Sequence, residues 1–328
     1  MSDTTIERTD VTWNCVRGCS RVSPGCGGAA GEGGCYAERQ AARFAGPGQA
    51  YEGLVRIGKQ GPRWTGKVVL VPEKLGEPLR WRKPRRVFVN SMSDLFHEAL
   101  SNEQIAAVFG VMAACPQHMF QVLTKRAKRM REWFAWIADR ASGGMPTEID
   151  VRGYACYVLS RLSPHGLLPI GIDSGLNRTP VEPRWPLPNV HLGVSCEDQA
   201  TADERIPELL ACPAAVRFVS YEPALGPVRF TLRGLPGWDE DWKYDTLAGR
   251  EWASPRDDIE PGTSPRIDWV IVGGESGPGA RPFDLAWARS TIAQCRAAGV
   301  RVFDRKGGTI AEWPADLRVR QFPEAPHG

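Results

Sequence analysis

The chain has 328 residues, of which 42% are hydrophobic, and this is enough for one large α/β domain or two ordinary ones. A charged fraction of 24% excludes a disordered composition, and no apolar run reaches the ~20 residues that span a membrane. The net charge of +3 is weak evidence for a polyanionic partner. Residues 1–10 are polar and acidic, unlike a signal peptide, so we expect a cytoplasmic protein without a membrane partner.

A glycine-rich cysteine loop follows a short β-like segment, Thr4 to Trp13, near the start of the chain. The loop covers residues 15–36 and contains four of the nine cysteines in the spacing C-x3-C-x6-C-x8-C, namely Cys15, Cys19, Cys26 and Cys35. It has too few apolar side chains to form a core, and its glycines let the backbone wrap closely around a small object. In a reducing compartment, clustered thiols indicate a metal or catalysis more often than disulfides.

Four interpretations of this loop stay open when only the spacing is considered. A structural zinc site needs four ligands, and four cysteines are present, although only Cys15 and Cys19 show the paired spacing of zinc knuckles. A [4Fe-4S] cluster held by three cysteines leaves one iron open for the amino and carboxylate groups of S-adenosylmethionine. A redox disulfide is the third interpretation, and simple free thiols are the fourth. The spacing favours an iron–sulfur cluster slightly over zinc, and both over free thiols.

Beyond the loop, short apolar runs alternate with helical patterns. Helices are predicted at 36–44 and 73–81, with a loop rich in glycine and proline between them at 46–66. Buried parallel strands are predicted at 87–89, 120–123, 190–194, 216–219, 269–272 and 300–303. Further helices are predicted at 102–115, 128–140, 201–212 and 284–298. With the first β-like segment this makes about seven β/α steps, which favours a full or partial (β/α) barrel over an open doubly wound sheet.

Two segments do not fit this period, and we expect them to be insertions outside a single barrel-type domain that covers residues 1–328. Residues 141–188 contain many Gly, Pro and polar residues plus one helix-like piece, Tyr154 to Leu162. Residues 232–266 are acidic and rich in Trp, Asp, Gly and Pro.

Polar residues follow almost every predicted strand, at the edge where a parallel barrel carries its active site. The strand-end residues selected as cofactor-binding are Asn90, Ser91, Asp94, Ser195, Glu197, Ser220, Gly273 and Gly274. Three carboxylates, Glu197, Glu222 and Glu275, could converge on one pocket as catalytic groups, where they would hold amines or ribose hydroxyls, act as acid and base, or bind a divalent metal. Taken singly, each of these residues is better explained as part of a solvated loop.

Two basic runs indicate a polyanionic substrate. Residues 80–86 read RWRKPRR, in which Trp81 could stack on a base while the cations contact phosphates. Residues 125–131 read KRAKRMR, for which the solvated face of a helix is the simpler explanation. Nucleic acid or a nucleotide is the leading prediction for the substrate, with Lys125, Arg126 and Arg281 as contacts to its anionic groups.

Several short motifs are spread over most of the chain outside the two insertions. They are Trp13-Asn14, Gly18-Cys19, Val22-Ser23-Pro24-Gly25-Cys26, Cys35-Tyr36-Ala37-Glu38, the basic run 80–86, Asn90-Ser91-Met92-Ser93-Asp94-Leu95-Phe96-His97, Gln121-Val122-Leu123-Thr124-Lys125-Arg126, Leu192-Gly193-Val194-Ser195, Glu197-Asp198-Gln199, Phe218-Val219-Ser220, Glu222-Pro223 and Val272-Gly273-Gly274-Glu275-Ser276-Gly277. Together they resemble a phage-associated three-cysteine family, which is regarded as radical-SAM-like and whose substrate is unknown.

The resemblance implies a (β/α) barrel, a [4Fe-4S] cluster at Cys19, Cys26 and Cys35, and S-adenosylmethionine near the strand ends. It also implies an electron donor such as flavodoxin or ferredoxin. This sequence departs from the family pattern in the eight residues between Cys26 and Cys35, where two are usual, and in Cys15, where proline is more usual. It also has Asp304-Arg305-Lys306-Gly307 where a Lys-Gln-Trp-like segment is usual.

The leading hypothesis is a radical S-adenosylmethionine enzyme that acts on a nucleic-acid-related substrate. The alternative is a zinc-stabilised barrel that binds nucleic acid without chemistry. A third, weaker hypothesis is a metal-dependent hydrolase built on the three glutamates.

Overall fold

Seven parallel strands form the main sheet of this computed structural model, which describes residues 6–27, 34–141, 147–160, 184–233, 243–252, 264–275, 279–305 and 314–323. In chain order the strands are β1 (Val11–Trp13), β2 (Val16–Arg17), β3 (Val55–Gly58), β4 (Gly61–Trp64), β5 (Val69–Leu70), β6 (Arg86–Val89), β7 (Met119–Thr124), β8 (Val190–Ser195), β9 (Val216–Tyr221), β10 (Thr231–Arg233), β11 (Lys243–Asp245), β12 (Arg250–Trp252), β13 (Trp269–Gly273) and β14 (Arg301–Arg305). The α-helices are α1 (Tyr36–Ala42), α2 (Pro72–Leu75), α3 (Asn102–Ala113), α4 (Ala127–Ala141), α5 (Thr147–Ser160), α6 (Gln199–Leu210) and α7 (Leu285–Ala297).

The strand order of the main sheet is β1-β6-β7-β8-β9-β13-β14. Each strand is added on the same side of the one before it, without the reversal that defines a doubly wound sheet. Strands β8 and β13 are buried along their whole length, as expected for parallel strands that are covered on both faces. The predicted fold class, an α/β protein with a partial (β/α) barrel, is confirmed.

The chain divides into two compact units, and the first consists of residues 1–22, 36–192 and 213–215. Its core includes stacked rings of Phe109 from α3 and Trp133 from α4, whose centroids lie 4.4 Å apart. Helices α3 and α5 approach each other closely at Gly110, where a Cβ would lie 1.9 Å from the carbonyl oxygen of Val151. Only glycine fits at this helix contact.

The second unit consists of residues 23–35, 193–212 and 216–328. Helix α6 begins after Asp198, whose carboxylate accepts a hydrogen bond from the backbone N–H of Thr201 at 2.9 Å. A bridge between Phe303 and Arg320 pairs strand β14 with the C-terminal segment in antiparallel fashion. The prediction of one barrel-type domain over residues 1–328 stays a prediction.

The sequence patterns missed or misjudged several short elements. The helix expected at 73–81 is instead the short α2 followed by a 3-10 turn at Pro78–Arg80, because each proline starts a new turn and cannot donate to the preceding one. The loop expected at 46–66 contains a hairpin of β3 and β4. Strands β10, β11 and β12 form an antiparallel sheet within and beside the segment 232–266. Helix α5 begins before the predicted Tyr154.

Large parts of the two predicted insertions, at 161–183 and 253–263, lie outside the described residues. Within the ranges that the structure describes, no helix is both long enough and apolar enough to cross a membrane.

Candidate cofactor site

The first half of the cysteine loop is fixed by the short β2–β5 pairing in the first unit. Gly18 follows β2 with a φ of +87°, and a Cβ at this position would lie 2.1 Å from the carbonyl oxygen of Lys67. The backbone also pairs at Gly18 with Ser93, in the segment after β6. The chain therefore requires glycine immediately before Cys19, whose side chain is partly exposed.

Cys15 differs from the other three loop cysteines because it is fully buried. Its thiol donates to the side-chain oxygen of Asn90 at 3.6 Å, and the N–H of Val16 donates to the same oxygen at 3.1 Å. Burial raises the pKa of the Cys15 thiol far above its ordinary value. A buried neutral thiol is a poor metal ligand, so the loop offers three accessible sulfurs rather than four.

Asn90, predicted to bind cofactor, has the unusual φ of +58° that brings its side chain to Cys15 and Val16. Its side-chain nitrogen is buried and has no hydrogen-bond partner among the described residues. The neighbouring Ser91 donates its hydroxyl to the side-chain oxygen of Asn14 at 3.2 Å. An unpaired buried amide donor is therefore left at the end of β6.

Arg126 lies beside Cys19 in the first unit and is buried, with a relative exposure of 6%. Its Nη1 lies 3.8 Å from the sulfur of Cys19 and 3.1 Å from a carboxylate oxygen of Asp94. Its Nη2 donates to the carbonyl and hydroxyl oxygens of Ser20 at 3.1 and 2.8 Å, and its Nε donates to Glu98 at 2.9 Å. All five N–H groups are used within the protein. Arg126 was predicted to contact substrate, and that role stays a prediction.

Asp94, predicted to bind cofactor, joins the ends of β6 and β7. One carboxylate oxygen accepts from the Thr124 hydroxyl at 2.7 Å and from the N–H of Phe96 at 3.0 Å. The other oxygen accepts from the N–H of Lys125 at 3.1 Å and from Arg126. Asp94 therefore fixes the position of Arg126, while the side chain of Lys125 is partly exposed.

His97 and Glu98 complete this network, although neither was predicted as a site residue. The Nδ1 atom of His97 accepts from the N–H of Ala99 at 3.1 Å, so the neutral ring carries its proton on Nε2, which lies 2.9 Å from the hydroxyl of Ser20. Burial and the nearby Arg126 lower the pKa of His97. Burial tends to raise the pKa of Glu98, but its hydrogen bonds and Arg126 lower it further than burial raises it. The network thus consists of a neutral histidine, two carboxylates and one guanidinium.

Glu197 anchors the second half of the cysteine loop, in the second unit. It is fully buried, accepts from the Ser23 hydroxyl at 2.9 Å, and lies 3.2 Å from Nη1 of Arg205. A Cβ on Gly25 would lie 2.2 Å from the same carboxylate. Glu197, selected as both catalytic and cofactor-binding, therefore fixes the backbone just before Cys26.

Glu275 forms a second anchor with Arg281. The two side chains make a bidentate ion pair, with Nε and Nη2 each 3.0 Å from a carboxylate oxygen. Glu275 also accepts from the N–H of Gly34 at 3.2 Å, and Arg281 donates to the carbonyl of Pro24 at 2.9 Å. Burial would raise the pKa of Glu275, but the bonds from Arg281 and Gly34 bring it below its ordinary value. The pair fixes the loop next to Cys26 and Cys35.

The remaining strand-end residues of the second unit contact one another. The Ser220 hydroxyl donates to the Glu222 carboxylate at 3.1 Å, and the Ser195 hydroxyl donates to the Glu222 carbonyl at 3.1 Å. The Gly273 carbonyl accepts from the backbone N–H of Ala224 at 3.0 Å. At Gly274 a Cβ would lie 2.9 Å from the side chain of Phe283. The catalytic role predicted for the three glutamates stays a prediction.

Asp304 is a carboxyl group at a strand end that was not predicted as a site residue. It lies in β14 with an exposure of 3%, and neither carboxyl oxygen has a hydrogen-bond partner among the described residues. Burial raises its pKa to about 8; Arg320 opposes that shift and Glu222 adds to it. Its position after an apolar run was the only sequence signal, and this signal is shared by most strand ends.

All nine cysteines are free, so the redox disulfide is not formed in this structure. Within the described ranges, no three His, Cys, Asp or Glu side chains are grouped as ligands for a metal ion. Residues 28–33, which separate Cys26 from Cys35, lie outside those ranges. The chemistry of the three accessible thiols fits an iron–sulfur cluster, because thiolates are its usual ligands.

The sequence pattern of a family described as "Protein of unknown function (DUF5131)" matches residues 3–321. No curated protein and no solved structure matches the chain.

Proposed function

The chain belongs to the DUF5131 family, whose function is unknown. From its own residues, we propose that it is a radical S-adenosylmethionine iron–sulfur enzyme. The observation that supports this proposal most is the burial of Cys15. It leaves Cys19, Cys26 and Cys35 as accessible thiols, one fewer than a structural zinc site needs. Three is the number that holds a [4Fe-4S] cluster with one open iron.

Under this proposal the three cysteines hold the cluster and nearby side chains keep them in place. Arg126 places a positive charge 3.8 Å from the sulfur of Cys19. Glu197 and the Glu275–Arg281 pair fix the backbone beside Cys26 and Cys35. When bound, the cluster would supply the electron that cleaves S-adenosylmethionine to a carbon radical, with flavodoxin or ferredoxin as the kind of donor required.

Cofactor binding is proposed at the strand ends of each unit. In the first unit, the unpaired amide nitrogen of Asn90 is a donor available to a carboxylate or a ribose oxygen. In the second unit, Ser195, Ser220 and the backbone at Gly273 and Gly274 are the proposed contacts. The hydrolase alternative has less support, because Glu197 and Glu275 are each paired with an arginine and are not free to bind a divalent ion.

A nucleic-acid-related substrate is supported by the basic run at 80–86. Arg80, Arg82 and Lys83 are exposed. Trp81 is held in place by the guanidinium of Arg85, 5.7 Å from its ring centroid, and by a ring contact with His118. Exposed cations around a fixed indole are the combination that binds phosphates and stacks on bases.

Metal analysis of protein purified without oxygen tests the proposal. We expect about four irons and four sulfides per chain and an absorption band that is bleached by dithionite. Cys26→Ala should lose the iron, whereas Cys156→Ala, which removes another partly exposed thiol, should keep it. One zinc per chain and no iron would favour the non-catalytic alternative, and unchanged iron in Cys26→Ala would contradict the ligand assignment.

A further inference from the structure

Six polar or charged side chains line an open groove in the second unit, and none of them is among the residues assigned to the cofactor site. They come from α6, from β10 with the residues before it, and from β11, and they are Gln199, Asp203, Arg229, Thr231, Arg233 and Lys243. We propose that this groove binds the phosphodiester backbone of a single-stranded nucleic acid. The inference rests on the proposed function only for the identity of the polyanion.

The register of β10 and β11 places two cations directly against each other. Arg233 is the cross-strand partner of Lys243 in this antiparallel pair. Like charges in directly opposite positions destabilise a sheet, so the pairing has a cost in stability. A bound anion between the two side chains would remove that cost.

Among the residues that the structure describes, no other contact occupies the charged groups of the three groove cations. The ion pairs and side-chain hydrogen bonds of the described residues include no contact from the charged groups of Arg229, Arg233 or Lys243. The single carboxylate in the groove, Asp203, accepts from the amide of Gln199 at 2.8 Å. Counted over the described residues, the groove therefore carries three uncommitted positive charges against one negative charge.

The backbone beneath these cations is held firmly. Gln199 accepts from the N–H of Arg229 at 2.8 Å and donates to its carbonyl at 3.1 Å, in the manner of a neighbouring strand. Within β10, residues 231 and 233 lie on the same face of the strand. These fixed positions lower the conformational cost of binding.

The number of cations favours a nucleic-acid strand over a single small anion. Arg229 precedes β10, Arg233 ends it, and Lys243 adds a third cation from β11. One inorganic phosphate carries at most about two negative charges, whereas successive phosphates of one strand can match all three cations. Thr231, between the two arginines, adds a hydroxyl donor.

Fluorescence anisotropy with a labelled single strand of about 12 nucleotides tests the proposal on the full chain. The test variant is Arg229→Gln/Arg233→Gln/Lys243→Gln. The control is Lys59→Gln/Lys128→Gln/Arg296→Gln, which removes equal charge from exposed positions elsewhere. We expect affinity to fall at least ~10-fold in the test variant and much less in the control. The dependence of log K on log salt should weaken by about 2, since each lost phosphate contact contributes about 0.7.

Further measurements separate the possible failures. Equal loss in the test and control variants, or no binding by wild type, would overturn the groove assignment whatever the iron content. Saturable binding of inorganic phosphate that the oligonucleotide cannot displace would show a small-anion site and would also overturn it. Retained binding in Cys26→Ala would support a groove that works without the cluster. A thermal melt of each variant checks folding, and the single variant Arg233→Gln, which removes one like charge, serves if the triple variant is unstable.

Discussion

The two regions in which arginine is most informative differ in how completely the guanidinium is paired. Beside Cys19, Arg126 is buried and all five of its N–H groups have acceptors in the protein. In the groove of the second unit, Arg229 and Arg233 lie at the surface, and no described side chain is ion-paired with them. In both regions the arginines lie next to a strand. Arg126 holds neighbouring segments of the fold together, whereas Arg229 and Arg233 are open to a ligand.

The difference shows that charge in a sequence does not reveal its use. A guanidinium whose donors are all satisfied stabilises the fold, so the protein loses stability when that side chain is removed. A cation that faces another cation is stabilised by an external anion. Removing such a cation costs the protein little stability. Stability measurements on matched variants can therefore separate framework charges from binding charges.

The largest effect is expected for Arg126→Met. This change leaves the buried carboxylate of Asp94 without its ion pair, and breaking a buried pair costs about 3–5 kcal/mol of unfolding free energy. Urea denaturation of the metal-free protein measures the loss. The control Arg129→Met removes a partly exposed arginine of helix α4, which begins directly after Arg126; its side chain donates to Asn102, and we expect a loss of about 1 kcal/mol. Equal losses in both variants would mean that the Arg126 network is not a framework element.

Glu197→Gln should cost somewhat less, about 2–4 kcal/mol, because the amide keeps the bond from Ser23 but leaves the buried Arg205 without an opposing charge. Glu204→Gln, at an exposed position of helix α6, which also carries Arg205, is expected to change stability by less than about 0.5 kcal/mol. Denaturation curves of the two variants, measured together, compare a paired carboxylate with a solvated one. A neutral result for Glu197→Gln would remove its assignment as an anchor.

Asp304 extends the comparison to an unpaired buried acid. Its pKa of about 8 lies above the ordinary value of 3.8, so between these values the folded state binds more protons than the unfolded state. Stability should therefore fall as the pH rises through this range, by up to about 1.4 kcal/mol per pH unit. Asp304→Asn cannot ionise, and we expect it to lose this slope and to exceed wild type in stability at about pH 8.

Urea curves at several values between about pH 5 and pH 8 test this prediction. Asp316→Asn serves as the control, because the pKa of Asp316 is lowered, chiefly by its hydrogen bond from Arg289, and its transition lies below that range. Parallel slopes for wild type and Asp304→Asn would show that Asp304 is already ionised and paired in solution.

The smallest effect is expected for Arg233→Thr, and its sign is opposite. Removing one of two like charges that face each other should raise the unfolding free energy by about 0.2–1 kcal/mol. Lys59→Thr, at an exposed turn without an opposing cation in its ladder, should change it less. The gain should be greatest at low salt, where screening is weakest. A loss of stability in Arg233→Thr would indicate that this arginine is paired within the protein.

Much of the fold could be predicted from local pattern. Short apolar runs bounded by polar residues identify the strands at 87–89, 190–194 and 269–272, because a strand buried on both faces excludes polar side chains from its interior positions. Short elements fared worse. Strand β3 is mostly exposed, so the hairpin β3–β4 carries little apolar periodicity. The prolines at 72 and 78 each start a separate helical turn in place of the one expected helix.

The candidate site could be predicted only in part. The cysteine spacing identified the loop, and the strand-end pattern selected Asn90 and Asp94 as cofactor-binding residues, which stays a prediction; in the structure Asn90 bonds to the backbone after Cys15 and Asp94 to Arg126. The sequence pattern did not show that Cys15 is buried, nor that Arg126, Glu197 and Glu275 are used to hold the loop. Burial and hydrogen-bond pairing are set by residues far apart in the chain, such as Ser23 and Glu197.

The amino-acid sequence by itself determined the order of strands, the partial barrel and the presence of a thiol-rich loop, since these depend on local hydrophobic pattern and residue type. Only the tertiary structure decided which charged side chains are paired within the protein and which are open to a ligand. Arg126 and Arg233 are the same residue type, each close to the end of a strand. Their environments differ because one is enclosed by carboxylates from another segment, whereas the other is placed against Lys243 by the register of a sheet.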